Sequence, residues 1–126
     1  MNTSSAGKSF SIKRRITSIR IAINGIILFF RQEHNAWIHL LATISAIILG
    51  VVLQCSKSEF MMIALVIGFV WTAEIFNTAI EKFADFTSKE YNPKIKFIKD
   101  VSAAAVLVAA ITALVTGCII FIPKIF

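Results

Sequence analysis

The chain is poor in the residues that build catalytic metal clusters and covalent frameworks. It has two cysteines, Cys55 and Cys118, and two histidines, His34 and His39, with no partner set of thiols or carboxylates at zinc spacing. A thiolate metal site is therefore excluded, and the two cysteines read first as small apolar packing residues. Charge is scarce as well. Asp and Glu number 7 against 13 Lys and Arg, and charged residues make up 16% of the chain. No internal repeat or low-complexity segment is present, and no compact apolar core with a small-residue cleavage site precedes Ser18, so a cleaved signal peptide is not expected. Gly7-Lys8-Ser9 looks like the end of a phosphate loop, but the earlier glycine position is Asn2 and no strand precedes it. The net charge of +6 lacks the interleaved aromatics or basic fingers suited to nucleic acid, so no nucleic-acid partner is expected.

What is abundant is apolar residue. Hydrophobic side chains make up 57% of 126 residues, too apolar for an ordinary soluble domain and too short a chain for more than one domain. Three stretches have the length and composition to span a bilayer: about 36–55, about 60–83 and about 101–123. The third is uncharged throughout, fenced by Lys99 and Asp100 at one end and Lys124 at the other. Before them, Ile12, Ile16, Ile19, Ile23, Ile26 and Phe30 recur every three or four residues among basic and hydroxyl side chains. That pattern predicts an amphipathic helix over about 8–31, lying in the headgroup layer. The expected fold is an all-α integral membrane domain over residues 1–126, one surface helix and three transmembrane helices.

Basic residues set the orientation. Lys8, Lys13, Arg14, Arg15, Arg20 and Arg31 precede the first span, and the connection between Lys82 and Lys99 adds Lys89, Lys94 and Lys96, whereas the connection Ser56 to Glu59 holds only Lys57. The positive-inside bias puts the amino terminus and the second connection in the cytoplasm. Anionic headgroups account for the remaining positive balance.

Within the middle span, Glu74, Asn77, Glu81 and Asp85 are three or four residues apart. At about 100° per residue they fall within roughly 80° of one helix face. A carboxylate at bilayer depth costs about 2.5 to 3.5 kcal/mol on insertion scales, so such a group points to function. The residues alone leave other readings open: a proton-coupled pair in a small carrier, or a polar clamp between helices in an assembly subunit. After the stripe comes a short basic connection, with Pro93 after Asn92 as a turn former, which can bring Glu90, Tyr91, Lys94, Lys96, Lys99 and Asp100 near its lower end.

Glu74-Ile-Phe-Asn-Thr-Ala-Ile-Glu81, then Asp85, then Lys99-Asp100 ahead of Val-Ser-Ala-Ala-Ala-Val-Leu, resembles the signature of the prokaryotic diacylglycerol kinase family, small trimeric membrane lipid kinases that include undecaprenol kinases. The likeness runs from about Arg14 to the end of the chain. It implies transfer of the γ-phosphate of ATP, with Mg2+, to the hydroxyl of a membrane lipid alcohol, by a homotrimer in the bacterial inner membrane with its site on the cytoplasmic side. It also implies Glu74 as general base and Glu33 and Glu81 as metal ligands.

A gap-free count from the Glu74 motif places the family's metal glutamate on Glu33 and its glycine on Gly25, and this register is adopted although Arg31-Gln32-Glu33 also resembles an Arg-Gln-Glu string found elsewhere in the family. By the same resemblance Asn77 orients the nucleotide or metal shell, and Asp85 supports the structure around the phosphates or nucleoside. Lys99 meets the phosphates with Asp100 beside it, Arg14 reaches in from the surface helix with Lys13 and Arg15 as equivalents, and Glu90, Tyr91 and Asn92 border the nucleoside or form a solvated loop. Diacylglycerol is the expected acceptor and undecaprenol the alternative: Glu33-His34-Asn35 and Asn92-Pro93 lean to the undecaprenol branch, Glu90-Tyr91 to the other.

Overall fold

The computed structural model describes residues 11–126. Lys8, the Gly7-Lys8-Ser9 string and the start of the expected surface helix lie outside the described residues.

Four helices follow one another: α1 (Ile12–Gln32), α2 (His34–Val52), α3 (Lys57–Thr87) and α4 (Pro93–Ile125). The last three are long and apolar enough to cross a membrane. A hydrocarbon core of about 30 Å needs about 20 helical residues. At 1.5 Å per residue α3 and α4 reach about 46 and 50 Å, so both continue well past the core. Most of the connection expected between Lys82 and Lys99 is consequently helical, and the true link is residues 88–92. Lys94, Lys96, Lys99 and Asp100 stand on the first turns of α4, not on a loop.

Local signals explain the helix ends. Ser56 and Glu59 form a reciprocal capping box at the start of α3. Asn92 accepts a hydrogen bond from the Lys94 backbone N–H at 2.9 Å, and Pro93 occupies the first turn, where its missing N–H costs nothing. Between α1 and α2 only Glu33 leaves the helical conformation, with φ −115° and ψ 114°. Its N–H still donates to Phe29 O at 3.0 Å and its carbonyl accepts from Ala36 N–H at 3.2 Å, so the chain turns on one residue fixed from both sides. At the other end of α2, Gln54 closes the turn at φ 53°.

Helices α3 and α4 make the most extensive contact, and α2 packs on both. Side-chain pairs give the register. From α2 and its cap to α3 they run Glu33 to Lys82, His39 to Glu74 and Thr43 to Trp71, each step forward matched by a step back, so the two helices are antiparallel. Helices α3 and α4 are antiparallel too, tied by Asp85 to Lys99 near one end and Glu59 to Lys124 at the other.

The apolar surface is mostly outward. Leu41, Ile48, Leu65, Phe76, Leu107, Leu114 and Ile119 are exposed, as lipid-facing residues are. Helix α1 buries only Phe29, and its isoleucine row is exposed as well. Phe29, Phe30, Trp37 and Trp71 form an aromatic cluster where α1 meets α2 and α3, edge-to-face except for the tilted Phe30–Trp71 pair. Both cysteines are unbridged.

Candidate active site

Burial falls stepwise along the stripe. Glu74 is buried at 5% exposure, Asn77 and Glu81 are half-buried, and Asp85 is exposed. Each has a partner on a neighbouring turn or helix. His39 Nε2 lies 2.6 Å from Glu74 Oε1. Asn77 Nδ2 donates to Glu81 Oε1 at 3.4 Å, and Ser102 Oγ, buried on α4, donates to Asn77 Oδ1 at 2.7 Å. Lys99 Nζ donates to Asp85 Oδ1 at 2.8 Å. The stripe therefore faces α2 at its deep end and α4 at its shallow end.

Glu33 is half-buried, and its carboxylate forms an ion pair with Lys82 Nζ at 3.1 Å. Lys82 follows Glu81 in sequence, so the junction residue sits at the level of α3 that carries the second expected metal ligand. Its place at the start of α2 also sets a negative charge against the positive end of that helix.

Other expected site residues are placed differently. Asp100 is exposed and pairs with Lys96 one turn earlier on α4. The Asn92 side chain is the α4 cap. Glu90 is held in a short turn in which its N–H donates to Ser88 Oγ at 3.3 Å, and Tyr91 is exposed. Arg14 is exposed on the first turn of α1, roughly 22 Å along that helix from Phe29, the residue through which α1 meets α3. Within this chain the structure gathers Glu74, Asn77, Glu81, Asp85 and Lys99 along one seam and brings Glu33 to the level of Glu81. It does not add Arg14 to them.

Sequence reasoning missed His39, Ser102 and Lys82. His39 entered the sequence analysis only as a residue without a zinc partner set, whereas it crosses to α3 and meets the deepest carboxylate. The signal was present: His39 and Thr43, four residues apart, are polar positions on one face of an otherwise apolar helix.

Over residues 20–121 the sequence matches the family described as Prokaryotic diacylglycerol kinase. The chain belongs to that family. It is 37% identical over 94 residues to an undecaprenol kinase of Bacillus subtilis, an alignment covering 75% of this chain and 76% of that protein. It is 31% identical over 109 residues to a diacylglycerol kinase of Synechocystis sp., covering 86% of this chain and 62% of the relative. A diacylglycerol kinase of Escherichia coli is 36% identical over 80 residues, covering 60% of this chain and 65% of the relative.

Membership makes this multi-pass membrane protein a lipid kinase, a phosphotransferase with an alcohol acceptor and ATP as phosphate donor. The carrier and assembly-subunit readings end there. Kinase chemistry also gives the seam a chemical sense. Phosphoryl transfer asks the protein mainly for positioning and for charge neutralisation. The seam supplies a buried carboxylate toward one end and an ammonium at the other.

The donor set suits magnesium. Among the described residues no three His, Cys, Asp or Glu side chains come together as a protein-only metal cage. Mg2+ commonly takes one or two carboxylates and completes its shell with phosphate oxygens and water. Glu33 and Glu81 are hard oxygen donors of that number.

Proposed function

We propose that this kinase transfers the γ-phosphate of ATP to diacylglycerol, giving phosphatidic acid, with Glu74 as the general base. The observation that carries the reading is the gradient of the α3 stripe: a buried carboxylate at lipid depth leads through Asn77 and Glu81 to Asp85 and its Lys99 partner near water. A lipid hydroxyl resting at the interface meets the deep end, and the nucleotide meets the shallow end.

Glu74 takes the hydroxyl proton as the lipid oxygen attacks the γ-phosphorus. Lys99 offers the phosphates a point charge. Asn77, fixed by Ser102, holds Glu81 in place. Glu33 and Glu81 would hold Mg2+, which would supply neutralisation of phosphate charge. Asp85 orients Lys99, with Asp100, Glu90, Tyr91 and Asn92 near the nucleoside end. Arg14, remote from the seam of its own chain, would meet the phosphates of a neighbouring protomer's site.

The single domain works as a homotrimer in the bacterial inner membrane, with the amino terminus and the site cytoplasmic. The exposed isoleucine row of α1 needs cover from the headgroup layer or from a neighbouring protomer. The bias of basic residues toward the first helix and the 88–92 link supports the orientation. Crosslinking in bilayers should yield trimers; a fully active monomer would exclude them.

Undecaprenol is the second acceptor to consider. The alignment with the Bacillus subtilis undecaprenol kinase extends over three quarters of both chains and favours it. Purified protein given Mg-ATP and either lipid alcohol in vesicles decides: phosphatidic acid supports the first reading, undecaprenyl phosphate alone supports the second. Failure with both lipids refutes the proposal.

A further inference from the structure

His39 is a half-buried histidine inside a membrane helix, and the imidazole has been given no task. Its Nε2 is 2.6 Å from Glu74 Oε1. The side chains are 22% and 6% exposed, so this contact is largely shielded from water. The imidazole is itself steadied. The Trp71 ring meets it edge-on with centroids 6.3 Å apart, and Trp71 Nε1 donates to Thr43 Oγ1 at 3.0 Å, one turn beyond His39 on α2. Trp71 is also one turn before Glu74 on α3, so two cross-links between the same helices fix the approach of imidazole to carboxylate.

A carboxylate about to receive a proton has acceptors only. The hydrogen in the 2.6 Å contact is therefore on the imidazole nitrogen, and Oε1 is committed to it. Among the described residues no fully buried side-chain nitrogen or oxygen lacks a partner, and the hydrogen bond of Glu74 is made at Oε1. Oε2 carries no such commitment and is the oxygen left for an incoming hydroxyl.

We propose that His39 is the positioning residue of this kinase: its Nε2–H holds Oε1 of Glu74, fixes the plane of the carboxylate, and leaves Oε2 as the atom that removes the lipid hydroxyl proton. The proposal rests on Glu74 being the base. In balanced form, the lipid O–H bond breaks, its proton passes to Oε2, its electron pair forms the new O–P bond, and the bond from the γ-phosphorus to the bridging oxygen of ATP breaks to release ADP. His39 neither gains nor loses a proton in the step. An unheld carboxylate on a flexible glutamate samples other rotamers, and a base must lie within about 2.6 to 3.2 Å of the oxygen whose proton it takes.

Three substitutions test this by steady-state kinetics in vesicles. In His39→Gln the amide N–H reaches about as far as Nε2, in His39→Asn it stops short, and in His39→Leu the donor is gone. His39→Asn and His39→Leu should lower kcat by about tenfold to a hundredfold with KM for ATP within about twofold, and His39→Gln should recover most of the loss. In the Glu74→Gln background His39→Leu should remove nothing further, as expected of residues acting as a unit. Full kcat in His39→Asn or His39→Leu overturns the proposal. So does an equal loss in all three variants accompanied by equal loss of thermal stability, the mark of a purely structural contact. Wild-type turnover in Glu74→Gln would instead overturn the base assignment itself, whatever the His39 variants do.

Discussion

Lys99 on α4 donates to Asp85 on α3 at 2.8 Å, across the two helices beside the start of the uncharged run of α4. The ammonium is oriented by a carboxylate yet sits beside the half-buried Glu81 and Asn77, so it is held ready for an anion without being neutralised in a closed core. Lys99→Met should therefore lower kcat/KM for ATP by about a hundredfold, within the range seen when one preorganised electrostatic group is removed. Asp85→Asn keeps the cation and loses only its anchor, so its effect should be about tenfold or less. Nucleotide kinetics on both variants check the order; a larger loss in Asp85→Asn would reverse the assigned roles.

Glu74→Gln keeps the size of the side chain and an oxygen for the His39 N–H, but it removes the proton acceptor. Phosphorylation of the lipid should fall by about a hundredfold or more, the usual share of general base catalysis. Nucleotide binding, which the proposal places at the shallow end of the stripe, should stay within about twofold of wild type. Calorimetric titration with a non-hydrolysable ATP analogue, beside a lipid phosphorylation assay, separates the two. Loss of nucleotide binding would move Glu74 from the reaction to the scaffold.

The main lines of this fold were readable because membrane insertion leaves a coarse mark. Long apolar runs gave the three spans, and the three- to four-residue recurrence of isoleucines gave α1. The ends were harder. Helices α3 and α4 extend past the lipid core into segments rich in Lys and Glu, where hydropathy falls although capping by Asn92 and Pro93 keeps the helix going. The polar stripe was legible since its four members recur at helical spacing, but their partners were not. Ser102 to Asn77 and His39 to Glu74 join residues 25 and 35 apart in sequence, and periodicity within one helix carries no information about which neighbour it faces.

Glu33 is engaged by Lys82 at 3.1 Å, an ion pair whose half-exposed geometry contributes little to stability. A divalent cation would compete with the ammonium for the same carboxylate. Chelation of Mg2+ should abolish turnover, and readdition should restore it. In Glu33→Gln and Glu81→Gln the Mg2+ concentration for half-maximal activity should rise by about tenfold or more, the cost typical of damage to a metal shell. In Lys82→Met it should stay the same or fall. Activity titrated against Mg2+ at saturating ATP measures all three, and an unchanged requirement in both glutamate variants would remove them as ligands.

The other end of the bundle yields a stability prediction independent of the chemistry. Gly50 is buried near the end of α2, and a Cβ built there would lie 2.9 Å from the edge of the Phe60 ring and 3.6 Å from Ile63 Cδ1. The first distance is too short for two carbons, so α2 and α3 approach this closely only because residue 50 has no side chain. Gly50→Ala forces the ring to rotate or the helices apart, a typical overpacking cost of about 1 to 3 kcal/mol. Phe60→Leu alone leaves space beside the glycine and also destabilises. The two changes share one contact, so the double variant should be more stable than their summed effects by about 1 kcal/mol. Unfolding followed by circular dichroism in mixed micelles measures the coupling. Per folded molecule, kcat should be unchanged, because His39 and Glu74 lie more than two helical turns further along the α2–α3 seam.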